Sequence, residues 1–141
     1  MLKRVHHIDF VVRDMDEAIT KYSKTFGIQI DHRLTTHGVD IAHFNIGDTI
    51  IVLISPVDHE NQLQRFLDEK GEGFYHMGCE VDSLADEVQT MKAKSVHLMN
   101  EKPRPGLECL NIELIDLEQE ETRSGLTIQL VKRTRPEVPD R

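Results

Sequence analysis

The chain has 141 residues, and its 17 Lys and Arg stand against 25 Asp and Glu, for a formal net charge of −8. Hydrophobic residues make up 38% and aromatics 5%, with no Trp, which is enough for the core of one ordinary domain. The acidic balance argues against nonspecific binding to nucleic acid or an anionic membrane, and no run reaches the about 18 apolar residues of a transmembrane helix.

In chain order, residues 4–12 alternate, with Ile8, Phe10 and Val12 on one face and His7, Asp9 and Val11 on the other, as in a half-buried strand. The N-terminus MLKRVHHIDF has no apolar stretch of the signal-peptide kind. Asp14 and Glu17 form a capping box for a helix carrying Met15, Ala18, Ile19, Tyr22 and Phe26, which Gly27 ends. Strands are expected at 28–34, 39–46 and 49–55, with Gly47-Asp48 as a two-residue hairpin turn. A helix at 60–70 follows, with Leu63, Phe66 and Leu67 on one side. Residues 73–81 alternate again, Met77, Cys79 and Val81 against His76, Gly78 and Glu80. Ser83 caps a helix with Leu84, Val88 and Met91. Strands are expected at 95–99, 108–116 and 125–132, a Pro/Gly loop at 101–107, and a solvated acidic connection at 117–124. Cys79 and Cys109 have no CxxC spacing, so free thiols in a reducing cytoplasm are expected.

The order repeats. A shift of 69 residues places His7 on His76, Phe10 on Cys79, Val12 on Val81, Met15 on Leu84 and Ile19 on Val88. The expected fold class is therefore α+β, two βαβββ modules in tandem forming an open cup-shaped mixed sheet with helices on the outer face. Module one covers about 4–56, a linking helix 60–70 and module two 73–133, all within one domain 1–133, with a flexible tail at 134–141.

If the apolar faces cover the helices, the opposite face holds His7, Asp9, His76, Gly78 and Glu80, joined by Thr127, Gln129 and Val131. Imidazoles at equivalent places in two repeats can converge on one point, and they suit Zn, Ni, Co and Fe(II). The plainer alternative is a pair of hydrogen-bonded surface histidines. Gln129 would add a weaker amide oxygen.

The stretch HHIDFVVRDMDEAITKYSKTFGI resembles the opening of the vicinal-oxygen-chelate superfamily, the glyoxalase and bleomycin-resistance fold, and most of all its methylmalonyl-CoA epimerase branch. The likeness continues through HGV at 37–39, IGDTIIVLISP at 46–56 and RFLDEKGEGFYHMGCEVDSL at 65–84, and ends in SGLTIQLV at 124–131. It implies paired modules around a divalent metal (Zn, Co, Ni or Mn) that stabilises an enolate-like intermediate. Carried over residue by residue, the ligand places are His7, Val52, His76 and Gln129. Val52 cannot ligate, Gln129 stands where Glu is usual, and Thr36 stands where the epimerases carry a Glu.

Strand pairing across Gly47-Asp48 sets His43 opposite Val52, so His43 is expected to supply the missing ligand or contact substrate; otherwise it is an exposed strand histidine. Asp9, Glu80 and Glu113 are the candidate proton carriers, with Glu113 ranked first as catalytic and Asp9 also expected to contact substrate. The resulting expectation is a metal-dependent epimerase or isomerase acting on a small carbonyl or acyl-CoA substrate, working as a homodimer. The alternatives are a glyoxalase-like lyase, a metal-free binding protein of the bleomycin-resistance type, or an Fe(II) dioxygenase.

Overall fold

The alternation at the N-terminus becomes strand β1 (Arg4–Val11), and Asp14 then caps helix α1 (Met15–Phe26) by accepting from the Glu17 backbone N–H at 3.0 Å. Gly27 closes α1 in the left-handed conformation, with φ +67°. The structure, a computed structural model, describes residues 1–118 and 128–134. It is an α+β chain of two β-α-β-β-β modules, divided into one compact unit of His7–His76 and another of Met1–His6 with the chain from Met77 on.

The first unit continues with β2 (His32–Thr36), β3 (Val39–Ile46), β4 (Thr49–Pro56), helix α2 (Gln62–Lys70) and the start of β5 (Gly73–Glu80). Its strands run β2-β3-β4-β1. β1 is parallel to β4, and the others are antiparallel. Ile46 pairs with Thr49 across Gly47-Asp48, as expected. Val12, Met15, Ala42, Phe44, Ile51 and Leu53 form a buried cluster, and Ile8, Phe10, Ile19 and Tyr22 pack on it. The expected strand at 28–34 is corrected. Ile28 and Ile30 do pack on this cluster, yet pairing starts only at His32. Their alternation reports burial without sheet hydrogen bonds.

In the second unit the strands run β5-β8-β7-β6, with helix α3 (Leu84–Ala93), β6 (Arg104–Pro105), β7 (Ile112–Asp116) and β8 (Ile128–Arg133). Ser83 caps α3 through the Asp86 N–H. Val81, Leu84, Val88, Ile115 and Leu130 form its core. Three expectations change here. Residues 95–99 make no strand, only an isolated bridge from Leu98 to Leu117. The loop at 101–107 contains β6, where Pro105 is tolerated because β6 is an edge. A 3-10 turn at Glu108–Leu110 delays β7 to Ile112. The connection from residue 119, Thr127 and the tail from residue 135 lie outside the described residues. Cys79 is a buried free thiol. No described helix is long and apolar enough to cross a membrane.

Candidate metal centre

Two residues apart on β1, His7 and Asp9 project from one face. Both are almost wholly buried, with 1% and 3% exposure. His76 of β5 brings Nε2 to 2.6 Å from Asp9 Oδ2, and its side chain keeps 16% exposure. His7 Nε2 lies 3.9 Å from Asp9 Oδ1, and the two imidazoles meet edge-on with centroids 6.0 Å apart. The His76 ring lies 4.9 Å from that of its neighbour Tyr75, tilted by 45°, and Tyr75 in turn meets Phe66 of α2 edge-on at 5.2 Å.

One ligand atom from each of His7, Asp9 and His76 falls within 4.8 Å of the others. Donors held about 2.1 Å from a common ion are roughly 3.0–3.4 Å apart, so small side-chain movements would close the three on a cation. The chemistry agrees. Asp9 Oδ1 is buried and has no hydrogen-bond partner, a situation that costs about 1–3 kcal/mol or more for a charged group. A cation between Asp9 and the imidazoles removes that cost. Two imidazoles and one carboxylate suit Zn, Co, Ni, Mn or Fe(II), so these residues fit a divalent metal.

The sheet register extends this face sideways. Asp9 pairs with Val52, Val52 with His43, and His43 with His32. His43 thus stands opposite Val52, as the hairpin predicts. It is not a member of the three-residue cluster, which among the described residues is His7, Asp9 and His76. The His43 ring is 5.5 Å from that of His32, and its Nδ1 is buried without a hydrogen-bond partner. Burial first, and the neighbouring His32 second, pull the His43 pKa below the ordinary imidazole value, with Asp31 opposing them.

The second unit holds the other expected residues. Gln129 and Val131 pair with Gly78 and Glu80 and share their face. The Gln129 amide donates to Asp116 Oδ1 at 2.7 Å, which leaves its carbonyl oxygen as the atom with ligand chemistry. Glu80 is buried and accepts from Arg4 at 2.6 Å and Arg133 at 2.9 Å. Burial raises its pKa, but the two guanidinium groups outweigh burial and hold it below the ordinary carboxylate value. A carboxylate held in this way is a poor base. The ranking of Glu113 is corrected by register. Asp116, Leu114 and Ile112 share the Gln129 face, whereas Glu113 pairs with Lys132 on the face of Ile115 and Leu130, the α3 side, and is exposed. The error lies in assigning Ile112 and Leu114 to the helix side merely because they are apolar.

Asp9 is the residue whose part the sequence understates. Its signal is present, since His-x-Asp on a strand puts both side chains on one face. The family places at 7, 52, 76 and 129 draw attention away from it.

A profile described as the Glyoxalase/Bleomycin resistance protein/Dioxygenase superfamily matches residues 6–112. The human protein named methylmalonyl-CoA epimerase, mitochondrial, is 29% identical over 108 residues, 74% of this chain and 61% of that protein. The chain thus spans about three fifths of the length of that relative. An uncharacterized Bacillus subtilis protein is 27% identical over 116 residues, covering 81% of this chain and 83% of its own. Among solved structures, a Streptomyces coelicolor methylmalonyl-CoA epimerase in complex with 2-nitronate-propionyl-CoA superposes with a TM-score of 0.84 at 22% identity, over 99% of this chain and 100% of that one.

Proposed function

The chain belongs to the Glyoxalase/Bleomycin resistance protein/Dioxygenase superfamily, and from that premise we propose that it is a metal-dependent isomerase of the epimerase kind, moving a proton on the carbon beside the carbonyl of an acyl-CoA substrate through an enolate. One observation carries the reading: the buried His7/Asp9/His76 cluster with its unpartnered carboxylate oxygen. Relatives named methylmalonyl-CoA epimerase support the substrate class.

A divalent cation held by His7, Asp9 and His76 supplies Lewis acidity toward a carbonyl oxygen. The residues do the rest. Asp9 offsets the cation's charge and takes the part expected of a carboxylate at the last family place, while Gln129 stays with Asp116. Burial of His7 and Asp9 keeps water from screening the site, so charge developing on a nearby oxygen is felt strongly. The ring contacts of Phe66, Tyr75 and His76 help to orient the third donor.

A second reading has its own observation. Asp9 Oδ2 and His76 Nε2 pair directly at 2.6 Å, as they would in a metal-free binding protein. The deciding experiment is elemental analysis of protein purified without chelator, together with α-proton exchange of methylmalonyl-CoA in D2O. The expected result is near one metal per chain and measurable exchange. Less than about a tenth of an equivalent, with no gain on adding Zn, Co, Ni or Mn, overturns the enzyme reading in favour of the binding protein.

A further inference from the structure

Moving a proton beside a carbonyl needs a base within reach of that carbon. The three donors of the candidate centre are engaged in holding charge, and Asp9 and His76 bind each other. On β1, β2, β3 and β4, the titratable side chains that share their face beyond His7 and Asp9 are His32 and His43, placed there by the register His32–His43–Val52–Asp9. Strands lie about 4.8 Å apart, so the His43 backbone is roughly two strand spacings from Asp9, and only a valine intervenes. From a carbonyl oxygen it is about 1.2 Å to the carbonyl carbon and about 1.5 Å to the adjacent carbon, and a base must come within about 3 Å of that carbon, a reach of the same order as the spacing between these strands.

We propose that His43 Nδ1 is the general base that takes the α-proton of the substrate, with His32 as its positioning partner. The proposal rests on the function proposed above. The α C–H bond breaks and its electron pair forms the C=C bond of the enolate, leaving the negative charge on the carbonyl oxygen. The proton forms an N–H bond on His43 Nδ1; solvent water then protonates the opposite face of the enolate, inverting the carbon, and the hydroxide left behind takes the proton from His43, which is neutral again. The unpartnered, buried Nδ1 has its lone pair or N–H available for this exchange. The charged and titratable groups facing His43 are His32 and Asp31 from the β2 side; β4 offers the uncharged Val52, and Ile41 and Asn45 flank it on β3. His43 is held neutral at physiological pH by burial and by His32, the state a base requires.

The test uses cobalt-loaded full-length protein, methylmalonyl-CoA as probe, and α-proton exchange into D2O followed by NMR. Wild type, His43→Gln, His43→Asn and His32→Gln are compared for exchange rate, pH profile and cobalt affinity. Ring-nitrogen NMR of the metal-free wild type reads His43 directly as propionyl-CoA is added. Expected are a loss of about 100-fold in both His43 variants, within the usual range for a general base, unchanged cobalt affinity, and a rate that rises with pH through the titration of His43. His32→Gln should move that limb toward higher pH with less than about a tenfold loss. A wild type that exchanges while both His43 variants stay within about threefold of it overturns His43 as base and leaves the proposed function standing. So does a His43 ring signal that propionyl-CoA leaves unmoved. A wild type that takes up cobalt yet exchanges nothing overturns the isomerase reading, and the base with it.

Discussion

At the scale of single residues, two buried carboxylates have opposite fates. Asp9 has one oxygen on His76 and the other without a hydrogen-bond partner, 3.9 Å from His7 Nε2, whereas Glu80 has both oxygens on arginines. An isosteric amide separates them. Asp9→Asn should lower cobalt affinity by about 100-fold or more, above the roughly 10–100-fold typical of losing an outer-shell partner. It should leave the metal-free protein as stable as wild type or about 1 kcal/mol more so, since a costly buried charge is gone. Isothermal titration and urea melts measure the two effects; a marked loss of metal-free stability would make Asp9 a structural carboxylate. Glu80→Gln should cost about 2–3 kcal/mol, less than the about 3–5 kcal/mol of a fully buried pair, because Arg4 and Arg133 are partly exposed and can rehydrate. The sign with pH follows from linkage. The folded pKa of Glu80 lies below its ordinary value of 4.5. Its contribution is therefore present above that value and lost as pH falls through the folded one. Acid melts of wild type should lose stability below about pH 4.5 more steeply than those of Glu80→Gln, and parallel curves would contradict this account.

At the scale of elements, the hairpin turn between β2 and β3 fixes where the His32–His43 pair sits. Its corner residues, His37 and Gly38, both have positive φ, +47° and +79°, the pattern of a two-residue primed turn. The Gly38 carbonyl accepts from the Val57 and Asp58 N–H groups and from Asn61, the cap of α2. A Cβ at Gly38 would meet Asp58 and Asn61 at ordinary contact distance, so the cost of Gly38→Ala comes from φ and should be about 1–2 kcal/mol. Gly38→Asn should cost less, since Asn tolerates the left-handed region. Urea midpoints give the ranking, and equal losses for Ala and Asn would shift the cause to crowding. The elements that were legible in the sequence are those with local punctuation: Asp14, Gly27, Ser83 and Gly47-Asp48. The illegible ones lack it. Ile28 and Ile30 look like strand residues because burial alone imposes alternation, and Arg104–Pro105 looks like loop because proline conceals an edge strand.

At the scale of the whole chain, the 69-residue echo makes the two modules readable, because each must bury one face of a strand and one stripe of a helix in the same order. The candidate centre was only half readable. Parity places His7, Asp9 and His76 together, but parity cannot tell a ligand from a neighbour; that needed the distances and the orphaned Oδ1. The same orphan makes metal binding measurable as stability of the folded chain. An ion that binds only the folded protein adds about 2.7 kcal/mol at a concentration 100 times its dissociation constant. For a chain of this length that is a rise in Tm of about 8–12 °C. Cobalt or zinc should therefore raise the Tm of wild type, a chelator should reverse the rise, and Asp9→Asn and His7→Ala should show little of it. His43→Gln should keep the full rise, because His43 stands two strands away from the donors. If the Tm of wild type stays flat with Zn, Co, Ni and Mn alike, the cluster is a buried ion pair between Asp9 and His76. If His43→Gln loses the rise with Asp9→Asn, His43 belongs among the ligands and not with the proton chemistry.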